Sequence, residues 1–343
     1  MTLREALDRY LPPLEQLQRT ILAPTSNDFK PHYGMQQYHQ GWLNEHLQPV
    51  AASSGKRVRA VLCLLCCEAC GAGFERALPL AAAIELLHSF SLVHDDIQDK
   101  SQTRRHRPTV WALWGAAQAI NVGDSLYAAA HAALYRSQAT LSAEAVLRLA
   151  IGFEDTCLRL CEGQYLDMAF EQETRVSHSR YMGMIERKTA ALIAYSAWSG
   201  AMAAGASESA ADAYRQMGRE LGLAFQIQDD ILGIWGDEEE TGKSASSDIA
   251  SAKKTLPLIY ALEALPETQA AELEGIYARL SRDEAAIVRA RELIDASGAK
   301  RRCLMLAQAH HTAALQHLQE ARPLPEAEAA LRELVGQLSS RQS

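Results

Sequence analysis

Three carboxylates crowd into one short stretch, Asp95, Asp96 and Asp99 in HDDIQD, and a second pair, Asp229 and Asp230, lies in LGLAFQIQDDILGIWGD. On a helix, residues four apart stack one above the other, so Asp95 and Asp99 share a face and repel. At a helix C-terminus they also oppose the macrodipole. A cluster that costs stability in this way suggests a compensating cation. Hard oxygen ligands suit magnesium, which keeps several waters and shares its remaining positions with phosphate. Bases stand nearby in the chain. Lys56, Arg57 and Arg59 open a helix in SSGKRVRA, and Arg104, Arg105 and Arg107 follow the first acidic cluster. Guanidiniums take phosphate oxygens, and a helix N-terminus carrying cations welcomes an anion. His88 shares the face of Asp95, and Gln226 shares the face of the second pair. Taken singly, each feature has a plainer reading: a charged helix tip, a solvated basic turn, a snorkelling Lys188.

The elements that must position these residues read as helices. Leu80, Ala83, Ile84, Leu87 and Leu92 form an apolar stripe along 80–99 at helical spacing. Helical patterns also cover 2–22, 36–49, 124–139, 142–171, 181–205, 212–236 and most of 255–338, with 23–35 as a loop. Ser53, Ser54 and Gly55 are capping candidates, Ser142 is another, and Pro108 ends the helical run before it. Gln164 and Asp167, three apart, could face one side of the 142–171 helix. No segment shows sustained strand alternation. The expectation is an all-α chain forming a single domain over 1–343.

Composition narrows the class. A 48% hydrophobic content in 343 residues is ample for a large core, and few Gly and Pro argue against a β-rich chain. A net charge of -8 opposes nonspecific nucleic-acid binding. No apolar run reaches membrane-span length, and MTLREALDRYLPP lacks the apolar core of a signal peptide. CLLCCEAC places four of the seven cysteines on one continuous apolar run with no partner pair, so buried thiols are expected rather than a zinc site. A cytoplasmic protein is the expectation.

Several of these motifs occur together, in order. On them, densest from about 53 to 262, the chain resembles the trans-isoprenyl diphosphate synthases, the polyprenyl synthetase family. The resemblance implies an antiparallel helical bundle around a central cavity, the isoprenoid synthase fold, usually a homodimer. It implies that Asp95 and Asp99, with Asp96 beside them, and Asp229 and Asp230 hold magnesium, three ions per active site. Arg104 then matches a contact to the allylic diphosphate. Lys56, Arg59, His88 and Arg105 match the isopentenyl diphosphate pocket, and Lys243 and Lys253 match further diphosphate contacts. Gln164 and Asp167 fall on a GQxxD motif that supports the metal cluster. Lys188, Thr189 and Gln226 match groups near the ionising carbon. The chain departs from the pattern at Ser54 and Ala60 in the first basic stretch, and at Gly233, where many members carry Asp or Asn. The loss at 233 puts the affinity for the second-site metal in question.

The reaction implied is condensation of isopentenyl diphosphate with an allylic diphosphate, releasing diphosphate. Two other readings use the same motifs. A class I terpene cyclase would not need the second basic set Lys56, Arg59, His88 and Arg105. A noncatalytic partner subunit would not need its aspartates. For product length, Leu87 and Ser91 lie below Asp95 on nearly its face, and Phe90 is the bulky residue of the set. Bulk at 90 with Ser at 91 points to the twenty-carbon geranylgeranyl diphosphate, then to the fifteen-carbon farnesyl diphosphate.

Overall fold

The computed structural model describes every residue except 51–54, 56, 237–245, 280–282 and 341–343. Lys56, Lys243, Ser53 and Ser54 therefore lie outside the described residues. The chain is almost wholly helical, as its sequence pattern requires. Its elements group into two compact units. The first comprises Met1–Phe153, Tyr195–Tyr214 and Ala321–Leu331. The second comprises Glu154–Ala194, Arg215–Glu320 and Arg332–Ser343.

In the first unit, α1 (Leu3–Ile21) opens on a capping box: Thr2 accepts from the Glu5 N–H while Glu5 reaches back to the Thr2 N–H. Pro12 and Pro13 are carried inside it. The next helix, α2 (Lys30–His39), starts and ends earlier than the expected 36–49. Pro31 sits at the first helical turn, where its missing N–H costs nothing, and Gly41 at φ 84° turns the chain out. Then follow α3 (Val58–Ala69) and α4 (Leu78–Gln98). Leu80, Ala83, Ile84 and Leu87 of α4 are fully buried, and α4 packs against α1, α3 and α5 (Val110–Tyr135). The helix expected at 124–139 thus begins well before that, with a break at Gly115. Two short antiparallel strands, β1 (Thr103–Arg104) and β2 (Arg107–Pro108), lie between α4 and α5.

Helix α6 (Ala143–Glu171) starts, as expected, on Ser142, whose hydroxyl accepts from the Ala145 N–H at 3.2 Å. The single helix expected at 181–205 is three pieces: α7 (His178–Ile185), a π turn over Glu186–Ala190, and α8 (Ala191–Ala204). Helix α9 (Glu208–Trp235) carries the second aspartate pair. The remaining helices are α10 (Ser247–Ala250), α11 (Leu256–Ala264), α12 (Glu267–Tyr277), α13 (Glu284–Ala296), α14 (Ala299–Glu320) and α15 (Pro325–Ser340). The core of the second unit gathers Phe170, Tyr181, Ile185, Ile227, Ile231, Leu256 and Ile294 around the buried side of α9.

The π turn is held against α6 at backbone distance. A Cβ on Gly163 would stand 2.3 Å from the Lys188 nitrogen and 2.6 Å from its Cα. Backbone atoms cannot yield as a side-chain tip can. Gly163→Ala should therefore cost about 1–3 kcal/mol, the usual penalty for overpacking. A lower midpoint in chemical denaturation is the expected result; an unchanged midpoint would show that α6 can draw back from the π turn.

Candidate active site

In the first unit the site is built where α4 ends. Asp95 is half-buried, Asp99 is exposed, and Asp96 is only 2% exposed. Asp99 caps the helix, its N–H bonding the Asp95 carbonyl at 2.8 Å. The two aspartates one turn apart thus stand at the open end, while Asp96 turns inward. A buried carboxylate must be paired. Arg104 does this, donating from Nε at 2.9 Å and from Nη2 at 2.8 Å to Asp96 Oδ1. Burial still raises the Asp96 carboxyl above its ordinary range, against the pull of Arg104.

Arg105 follows Arg104 at the tip of the β1–β2 hairpin. Arg105 and His106 both adopt left-handed backbone, φ 52° and 59°. Hairpin loops of two such residues normally use Asn or Gly, and each of these side chains pays about 1 kcal/mol to be there. The Arg105 guanidinium packs on Gly55, where a Cβ would come within 2.8 Å of Nη2 and where φ is +79°. Arg105 is shifted below its ordinary value by burial and by the charges of Arg57 and Arg104. An anion at this point would relieve all three.

Arg57, a left-handed residue at the start of α3, is 9% exposed. Its guanidinium meets Glu85 at 3.5 Å and donates to Gln40 Oε1 at 2.8 Å. Glu85 also accepts from the Ala60 N–H at 3.1 Å, so it joins α4 to the first turn of α3. Arg59, two residues on, lies 3.2 Å from His88 Nε2. Burial, then the charges of Arg59, Arg105 and Arg104, hold His88 well below its usual value, so it is neutral at pH 7. His39, pushed down for the same reasons, joins Arg104, Arg105, Arg107 and Asp96 around one small pocket. The structure therefore brings Arg59, Arg104 and Arg105 into one cationic cluster around the neutral His88, beside the end of α4. Nothing in the local spacing of the sequence had pointed to His39.

In the second unit, Lys188 of the π turn donates to Asp167 of α6. Burial alone would raise Asp167, but the charges of Lys188 and Lys253 and the Lys188 hydrogen bond outweigh it and hold the carboxyl low. Lys188 is thus anchored rather than snorkelling. Thr189 donates to Gln226 Oε1 at 2.7 Å, and Gln226 Nε2 donates to Asp230 Oδ1 at 3.1 Å. Asp230 is 3% exposed. Its second oxygen accepts from Tyr181 and from the Leu256 N–H at 3.2 Å. Burial and the nearby Asp248 push its carboxyl up to about 7.

Asp248 is a residue to which the sequence had assigned no role. A Cβ on Gly233 would stand 2.1 Å from Asp248 Oδ2. The space that a side chain at 233 would fill is occupied by a carboxylate from α10. Asp248 lies outside the aspartate motif that holds Gly233, so no motif spacing announces it.

Among the described residues, no group of three or more His, Cys, Asp or Glu is assembled as a metal-holding cluster. The first unit by itself offers Asp95 and Asp99 as hard oxygens, and the second unit by itself offers Asp229. One or two carboxylates fit magnesium, which fills the rest of its shell with water and phosphate oxygen.

The family model described as polyprenyl synthetase matches residues 40–294. Farnesyl diphosphate synthases of Mycobacterium bovis and Mycobacterium tuberculosis are 45% identical over 223 residues, 65% of this chain and 61% of theirs. The matched part therefore spans less than two thirds of those relatives. A geranylgeranyl diphosphate synthase of M. tuberculosis is 43% identical over 241 residues, 70% of this chain and 67% of that protein. Among solved structures, a polyprenyl synthetase from Streptomyces coelicolor superposes with a TM-score of 0.87 at 34% identity, covering 97% of this chain and 99% of that one. A geranylgeranyl pyrophosphate synthase from Corynebacterium glutamicum, complexed with isoprenyl diphosphate and magnesium, gives 0.83 at 27% identity, covering 99% and 98%.

The Arg104–Asp96 pair makes a separable prediction. Arg104→Ala should cost about 1–3 kcal/mol by leaving a buried carboxylate without its charged partner. Adding Asp96→Asn should recover most of that loss in thermal unfolding. A double variant as unstable as the single one would show that Arg104 stabilises through packing instead.

Proposed function

The chain belongs to the polyprenyl synthetase family, and from that premise we propose that it is a magnesium-dependent prenyltransferase condensing isopentenyl diphosphate with an allylic diphosphate. The observation that carries this reading is the cationic cluster beside the acidic end of α4: Arg59, Arg104 and Arg105 around the neutral His88, within reach of a helix that ends on Asp95 and Asp99. Carboxylates for a metal and guanidiniums for a diphosphate are what two diphosphate substrates require.

Asp95, Asp99 and Asp229 are the ligands in this account, with Asp248 taking the place of the acid missing at Gly233. Asp96 and Asp230 act as anchors for Arg104 and Gln226. Magnesium, when bound, neutralises charge building on the departing diphosphate. Arg104 and Lys188 share that task, since fixed cations aimed at developing charge need no reorganisation. Arg59 and Arg105 hold the isopentenyl diphosphate, and Lys253 adds charge beside Asp167. The allylic C–O bond breaks with its electron pair leaving on the diphosphate. The cation takes the π pair of isopentenyl diphosphate, and a proton then passes to the released diphosphate. The Lys188 carbonyl, Thr189 and Gln226 direct oxygen dipoles at the cation. The magnesium and isoprenyl diphosphate of the C. glutamicum complex support this assignment.

The product is short, of twenty or fifteen carbons. Phe90 faces α5, its ring 5.2 Å from Tyr127, and the row continues through His131, 4.6 Å on, to Phe153, a further 5.1 Å. This aromatic row supports Phe90 as part of a wall around the growing tail, with Leu87 buried and Ser91, bonded to the His88 carbonyl, leaving room on its own side. A homodimer is supported by α6, whose Leu147, Ile151, Leu158 and Tyr165 are each at least 60% exposed on one stripe. Among the described helices none is long and apolar enough to cross a membrane. The cysteines stand as thiols, which suits a reducing compartment such as the cytoplasm.

The test is incubation of the protein and magnesium with isopentenyl diphosphate and each allylic primer, with products sized by mass. Fifteen- to twenty-carbon diphosphates are expected, and Phe90→Ala should lengthen them. No elongation with any primer would refute the activity. An unchanged product range in a folded Phe90→Ala variant would place the floor elsewhere.

A further inference from the structure

We propose that Tyr181 is a positioning residue for prenyl transfer, fixing through Asp230 and Gln226 the direction in which the Thr189 hydroxyl points its hydrogen. The inference rests on the reading of Thr189 as a group beside the ionising carbon. It adds a residue and a physical task to that reading.

The four side chains form one line within the second unit. Tyr181 donates to Asp230 Oδ2, Gln226 Nε2 donates to Asp230 Oδ1 at 3.1 Å, and Thr189 donates to Gln226 Oε1 at 2.7 Å. Every direction in the line follows from its inner end. An ionised Asp230 offers only acceptors, so the Gln226 amide turns its NH2 group toward it, as the 3.1 Å contact shows. Turned the other way, the amide oxygen would face a carboxylate oxygen. With NH2 committed inward, Oε1 faces Thr189, and only the threonine can donate across that gap. A hydroxyl has one hydrogen. Once it is given to Gln226, the Thr189 oxygen has lone pairs alone to present elsewhere. Beside an allylic cation that orientation is attractive, and the reverse orientation would place a positive hydrogen against positive charge.

Tyr181 secures the inner end. It is 2% exposed, and it lies on α7, directly before the π turn that carries Thr189. Its hydroxyl and the Leu256 N–H together pin Asp230 Oδ2, which leaves Oδ1 aimed at Gln226. Phenylalanine at 181 would keep the packing and remove the pin.

The cation has two fates. It forms a new C–C bond with isopentenyl diphosphate, or it takes water oxygen, loses a proton and leaves as free prenyl alcohol. Their ratio is independent of how much protein is active. In Tyr181→Phe, the alcohol fraction should rise several-fold and kcat should fall about tenfold, the scale of one hydrogen bond in a transition state, with the allylic KM little changed. Replacing Tyr181 by 4-aminophenylalanine, which keeps a donor, should lower the alcohol fraction again. If Tyr181→Phe does not fold, Asp230→Asn frees the amide by another route, and it should raise the same fraction. An alcohol fraction equal to wild type in a folded variant would overturn the proposal, even if kcat fell. A wild-type protein that makes neither product would instead refute the prenyltransferase reading itself.

Discussion

The carboxylates of Asp96 and Asp230 are 2% and 3% exposed, and charge so far from water costs several kcal/mol unless partners answer it. Each unit answers with its own set. Arg104 meets Asp96 through two nitrogens. Tyr181, Gln226 and the Leu256 N–H converge on Asp230. The consequence is a division of labour within each aspartate pair. One member is paired inside the fold and becomes the fixed point for Arg104 or Gln226. Its neighbour, turned by about 100° on the same helix, is the member proposed above as the ligand. Arg104 and Gln226 owe their orientation to acids that a sequence motif would count as metal ligands.

The same need for compensation shapes the cationic cluster. Arg57 is matched by Glu85 and Gln40, yet Arg105, buried beside Arg57 and Arg104, is shifted down. The hairpin tip that carries Arg105 is held in left-handed backbone by residues unsuited to it. Strain and charge crowding at one point fit the anion site proposed for this cluster. A diphosphate entering there would exchange mutual repulsion for charge-assisted hydrogen bonds.

Much of this was legible in the sequence, and the remainder was hidden for identifiable reasons. The stripe from Leu80 to Leu87 predicted α4 to within two residues, because a helix buried on most sides leaves a continuous apolar record. The boundaries of α2 were misread because Pro31 is punctuation in a loop but an ordinary first-turn residue in a helix. The π turn at Glu186–Ala190 left no trace in a run that continues the helical pattern, and its close approach to Gly163 is a tertiary contact without local signature. Asp95, Asp96, Asp229 and Asp230 could be found by spacing, but which of them turned inward depended on Arg104, in the hairpin eight residues on, and on Tyr181, on another helix. Asp248 in the space beside Gly233 is a tertiary fact with no local signature.

In the proposed reaction Asp95 and Asp99 act only with a metal and a diphosphate together. Calorimetric titration of an unreactive allylic diphosphate analogue into the protein, with and without magnesium, tests it most directly. The account predicts tight binding in magnesium, loss of most of that affinity in chelator, and a matching loss in Asp95→Ala with magnesium present. Equal affinity with and without magnesium would contradict it, because the arginines alone would then suffice to hold the substrate.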